Sequence, residues 1–147
     1  MRVLFDTNVV LDLLLDRAPF AEASEQILSR VETGELSGYL CATTITTIYY
    51  LAAKSLGAKG ALAEIRKLLS LFEIAPVTRP VLESALISDF SDFEDAVIHE
   101  AARQIGSEAI VTRNKPDFLR ADIPAHSPEE MLQILKQRAS NDEGHGL

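Results

Sequence analysis

Two rhythms of apolar residues run along the chain. Val3-Leu4-Phe5 and Ala109-Ile110-Val111 are continuous apolar runs. Short runs of this kind mark strands covered on both faces, as in a parallel sheet. Leu36–Ala42, with Gly38-Tyr39-Leu40-Cys41 at its centre, reads as another strand. Phe72–Val77 reads as a strand or strand edge, with Pro76 placed at its end because proline cannot donate to a ladder. Ile123-Pro124-Ala125-His126 is a weak final strand.

Between these runs the period lengthens to that of a helix. Val9–Leu15 starts one, and Pro19-Phe20 breaks it. Phe20–Glu32 carries apolar residues near helical spacing and stops at Gly34. Thr43-Thr44 is expected to cap a helix from Ile45 to Leu56, despite its β-branched content, with Gly57 ending it. Lys59–Leu71 turns Leu62, Ile65, Leu68, Leu69 and Phe72 toward a core, and Pro80–Ser88 is a short helix. Asp92–Ile105 is a helix stopped by Gly106. Ser127, Pro128 and Glu130 stand as N-cap, N1 and N3 of a capping box opening a last helix to about Arg138. Alternating strands and helices predict an α/β fold, with a mainly parallel sheet of four to five strands between two helical layers. Residues 1–138 make one domain, and the polar, glycine-containing stretch 139–147 reads as a disordered tail.

Composition changes this picture little. Of 147 residues, 47% are hydrophobic and 24% charged, which excludes disorder along the whole chain. The single cysteine, Cys41, has no internal partner and reads as a small buried apolar residue in a reducing compartment. No apolar run approaches the ~20 residues of a membrane span, and the start shows no signal-peptide pattern, so a cytoplasmic location is expected. Charge matters more. Fourteen basic against 22 acidic residues leave a net −8, which disfavours nucleic-acid binding by charge neutralisation alone. It leaves open an enzyme whose acids present metal ions to a phosphate.

The acids fall where chemistry is expected. Asp6 follows Val3-Leu4-Phe5, at the carboxyl end of a strand, where ligands collect in open α/β sheets. Asp92 and Asp95 open a helix and share a face with His99, while Glu94 is the weaker candidate. Asp117 lies in the loop after Ala109–Thr112. Gathered carboxylates repel unless a cation or shared protons intervene, and hard oxygen donors favour Mg²⁺ or Mn²⁺. Such ions activate water and neutralise charge on phosphate, which points to phosphodiester hydrolysis. Plainer readings exist: Asp92 as a helix N-cap, Asp12 and Asp16 as solvated acids, His99 as a structural histidine, Asp117 as a turn residue. Asp6 has no evident structural reason for its place.

Val3-Leu4-Phe5-Asp6-Thr7-Asn8, Asp92-Phe93-Glu94-Asp95-Ala96-Val97-Ile98 and Ile110-Val111-Thr112-Arg113-Asn114-Lys115-Pro116-Asp117-Phe118 together resemble a PIN domain of the VapC type. These are toxin ribonucleases of toxin–antitoxin pairs. The resemblance implies an α/β/α sandwich, Mg²⁺- or Mn²⁺-dependent endoribonuclease activity, an antitoxin partner and a homodimer. It implies Asp6, Asp95 and Asp117 as catalytic metal ligands, Asp92 as an auxiliary ligand, and Thr7, Asn8, Thr112 and Asn114 as supporting polar groups. Arg113 and Lys115 are candidates for holding neighbouring phosphates. One departure stands out: the family's glutamate in the helix after the second strand is missing, and Tyr49 is expected at its position. The departure motivates an alternative, a nuclease-inactive PIN-like module that binds RNA or protein. A phosphatase on the same kind of sheet is a third reading.

Overall fold

Five strands lie side by side: Arg2–Phe5 (β1), Ser37–Cys41 (β2), Glu73–Ala75 (β3), Ala109–Val111 (β4) and Ala125–His126 (β5). Their order is β3-β2-β1-β4-β5, and every pairing is parallel. The computed structural model describes the backbone of residues 1–145 and the side chains of residues 1–142. The helices are Thr7–Leu14 (α1), Ala21–Glu32 (α2), Ala42–Leu71 (α3), Arg79–Ile87 (α4), Phe93–Gln104 (α5) and Pro128–His145 (α6).

The alternation of a strand places the layers. Val3 and Phe5, fully buried, face one core with α1, α2, α3 and α6; Leu4, also fully buried, faces the other with α4 and α5. The sheet is thus the middle of an α/β/α sandwich, as the run Val3-Leu4-Phe5 predicts. Gly38 permits this packing on β2: a Cβ there would stand 2.7 Å from Val31 Cγ1 and 2.8 Å from the Phe72 ring.

Several boundaries differ from the expected ones. α3 starts at Ala42, directly after β2, with no side-chain cap from Thr43 or Thr44. Its β-branched stretch is helical because burial of Ile48 and Ala52 outweighs local propensity. The hydroxyls of Thr46 and Thr47 bond back to the Thr43 carbonyl at 2.9 and 3.2 Å. At Gly57 the backbone leaves the helix (φ +75°, ψ 168°), a conformation L residues rarely adopt. Gly57 thus separates two helical segments within α3, as the sequence predicts. In its second half Ala61 and Leu68 are buried, whereas Leu62 and Leu69 are exposed instead of facing the core. α6 runs past Arg138 to His145, because Ala139-Ser140-Asn141-Asp142-Glu143 contains no helix breaker. The last two residues of the expected disordered tail lie outside the described residues. Cys41 is buried and free, as its surroundings predict.

Candidate active site

β1 and β4 are neighbours, so their carboxyl ends deliver Asp6 and Thr112 side by side. The Asp6 amide donates to the Val111 carbonyl at 2.8 Å. Asp6 then caps α1: its Oδ1 accepts the Thr7 amide at 2.8 Å. Its Oδ2 accepts the Asn8 side-chain amide at 3.2 Å and the Thr112 hydroxyl at 2.8 Å. Asp6 thus has the structural role its sequence context did not reveal. Three of roughly four lone-pair positions on the carboxylate are used, which leaves about one for a ligand.

The N-terminus of α5 brings the next acids. Asp92 is its N-cap, accepting the Asp95 amide at 2.9 Å, as the plainer reading had it. Asp92 nevertheless lines the same open pocket as Asp6, Glu94, Asp95 and Asp117. Asp117 sits in a 3₁₀ turn, Lys115–Phe118, that follows β4. Thr7, Asn8 and Asn114 also line this pocket, and Leu11, Leu51 and Ile98 are among its apolar residues. Thr112 lies behind it, fully buried, and holds Asp6 while accepting the Asn114 amide at 3.0 Å.

The gathered charge shows in proton affinity. Burial, with smaller contributions from the charges of Asp6, Asp92, Asp117 and Glu94, raises the Asp95 carboxyl from 3.8 to about 7. Burial likewise raises Asp6, although the Thr112 and Thr7 hydrogen bonds oppose the rise. Among the described residues no three Asp, Glu, His or Cys groups form a ready-made coordination set. The donor chemistry still fits a hard divalent cation: five carboxylates share one pocket, and their charges disfavour one another.

Other residues lie elsewhere than expected. Asp12 is not solvated. It is 1% exposed, accepting Arg113 Nε at 2.8 Å and Nη2 at 3.1 Å. Asp16, by contrast, is exposed. The Arg113 guanidinium also stacks 4.1 Å from the Phe20 ring centroid, and Lys115 pairs with Glu130 at 2.9 Å. Neither cation lines the acid pocket, so both expected phosphate contacts are engaged with other partners. His99 is buried away from it, its Nε2 accepting the Asp122 amide at 3.1 Å. Thr47 and Arg17 line the pocket although the sequence does not single them out, and Glu94, the weaker candidate, lines it too. The density of acids in Asp92-Phe93-Glu94-Asp95 is a signal for Glu94, since a helix's first turn splays its side chains around one end.

A family model described as PIN domain matches residues 2–116. The chain belongs to the PIN-domain family. Ribonuclease VapC1 of Aquifex aeolicus (strain VF5) is 26% identical over 137 residues, covering 90% of this chain and 94% of the relative. The crystal structure of FitAcB from Neisseria gonorrhoeae superposes with TM-score 0.67 at 25% identity, covering 86% of this chain and 98% of that one. A toxin–antitoxin complex from Klebsiella pneumoniae gives TM-score 0.65 at 26% identity, with 86% and 97% covered. Within this PIN domain, the α3 residue that faces the acids is Thr47 rather than Tyr49. Tyr49 packs edge-on against Tyr50, ring centroids 5.6 Å apart, while the Thr47 hydroxyl lies 3.4 Å from Glu94 Oε1. Glu94 of α5 thus places a carboxylate beside Thr47 in this pocket.

Proposed function

We propose that this PIN-domain protein is a Mg²⁺- or Mn²⁺-dependent endoribonuclease acting in the cytoplasm as the toxin of a toxin–antitoxin pair. The observation that carries the reading is the convergence of Asp6, Asp92, Glu94, Asp95 and Asp117 on one pocket at the carboxyl ends of β1 and β4. Asp6, Asp95 and Asp117 would hold the ion, with Asp92 and Glu94 beside them. A bound divalent cation supplies an activated water and neutralises charge developing on the phosphate. Asn8 and Thr112 fix the Asp6 carboxylate. Asp95, which holds its proton up to about pH 7 in the metal-free pocket, is the acid that would release it as the cation binds.

The antitoxin partner is supported by the Klebsiella pneumoniae relative, itself a toxin–antitoxin complex. The proposal includes a homodimer, for which Tyr50, Leu86, Ile87 and Phe93 offer exposed apolar surface; light scattering at micromolar concentration reads the state. Among the described residues no helix is long and apolar enough to cross a membrane. The test is incubation of folded, antitoxin-free protein with a structured RNA pool, and separately with p-nitrophenyl phosphate, in Mg²⁺, Mn²⁺ or EDTA. RNA cleavage that EDTA abolishes is expected. Hydrolysis of the small ester alone would favour a phosphatase. No reaction would favour the binding module that the threonine at position 47 motivates.

A further inference from the structure

Arg17 is the cation that the described residues place on the acid pocket. Its backbone is fixed between α1 and α2. The Arg17 amide donates to the Asp12 carbonyl at 2.9 Å, and the Arg17 carbonyl accepts the Phe20 and Ala21 amides at 2.9 and 2.8 Å. Its side chain is 39% exposed, and Nη1 stands 3.7 Å from Asp12 Oδ1, beyond hydrogen-bond length. Asp12 is already occupied by the two bonds from Arg113. Among the described residues the Arg17 guanidinium makes no hydrogen bond; it pairs with Asp12 only through this longer ion contact, and its planar fork of donors remains available at the mouth of the pocket. Nor is it spent on the acids: the groups that act most on Asp6 and Asp95 are burial, hydrogen bonds and other carboxylates.

A polyanion approaching a protein of net charge −8 needs a local cation. Arginine suits a phosphate, because its fork matches two oxygens at once. Resting on the nuclease reading, we infer that Arg17 binds the RNA backbone, its guanidinium taking the oxygens of a phosphodiester next to the one cleaved. Arg113 takes both Asp12 oxygens, so Asp12 holds Arg17 only by the longer ion pair and leaves its donors free. Arg113 and Lys115 thus leave the phosphate-binding role to Arg17.

The test is steady-state cleavage of a labelled single-stranded RNA in Mg²⁺ by the wild type, Arg17→Gln and Arg17→Lys, at several NaCl concentrations. Anisotropy of the same RNA in Ca²⁺ reads binding without turnover. Arg17→Gln should raise KM and weaken RNA binding about tenfold, with the smaller part of the loss in kcat, and lower the slope of log affinity against log salt by about one. Arg17→Lys should recover the salt slope. Unchanged KM and binding in a folded Arg17→Gln protein, or a loss confined to kcat, would overturn the role of Arg17 and leave the nuclease reading standing. A wild type that neither cleaves nor binds the RNA would overturn both.

Discussion

Replacing Asp95 by Asn should stabilise the metal-free protein at neutral and alkaline pH. The folded state holds the Asp95 proton up to about pH 7, against an ordinary value of 3.8. A carboxyl whose proton affinity is raised by folding contributes full stability below pH 4, and that contribution is lost as pH rises to 7. At about 1.4 kcal/mol per tenfold change in proton affinity, the loss is at most about 4 kcal/mol. Partial solvent access to the carboxyl screens this to about 2 kcal/mol. Asparagine keeps the shape and never ionises. In EDTA at pH 8, Asp95→Asn should therefore melt about 6 °C above the wild type, and at pH 4 the two should coincide. Thermal melts by circular dichroism across this pH range measure the difference. Wild-type and Asp95→Asn melting curves that stay parallel in pH would refute the claim that crowding and burial strain this carboxylate.

Three further substitutions probe the frame around the pocket. Asp12→Asn removes the charge that Arg113 grips from inside the fold, and should lower stability by about 2–3 kcal/mol in urea, short of the full buried-pair penalty because Arg113 keeps some solvent contact. A change under about 0.5 kcal/mol would show that the pair is structurally idle. Gly38→Ala drives a methyl into Val31 and Phe72 and should cost about 2 kcal/mol, read as a lower melting temperature. Ser127→Ala breaks the capping box of α6 and should cost about 1 kcal/mol. The same change keeps the backbone amide at position 127, which with Lys115 holds the Glu130 carboxyl at about 2, so that carboxyl should stay low in an NMR titration.

Much of the fold was legible because its local signals agree with its packing. Val3-Leu4-Phe5 is buried on both faces, and the Ser127–Glu130 box closes with bonds of 2.9 and 3.1 Å in the two directions. The carboxyl ends of β1 and β4 meet because the strands pair. Other features were hidden because a distant residue decides them. Asp12 looks like one more acid on an amphipathic helix, and only the fold brings Arg113 to it. Tyr49 and Thr47 cannot be told apart until the rotation of α3 against α5 is known, and the same rotation sets Glu94 beside Thr47 at the pocket. His99 has the spacing to join Asp95, yet the loop carrying Asp122 claims it. The helical identity of Thr43–Ile48 contradicts propensity and follows from burial of one face.

Calorimetric titration of Mn²⁺ into the wild type and into Asp95→Asn tests most directly whether five carboxylates without an α3 acid make a cation site. Saturable binding at sub-millimolar Mn²⁺ by the wild type, accompanied by proton release near pH 7, is expected, with its loss in Asp95→Asn. No binding by the folded wild type, or equal binding by both proteins, would contradict that site.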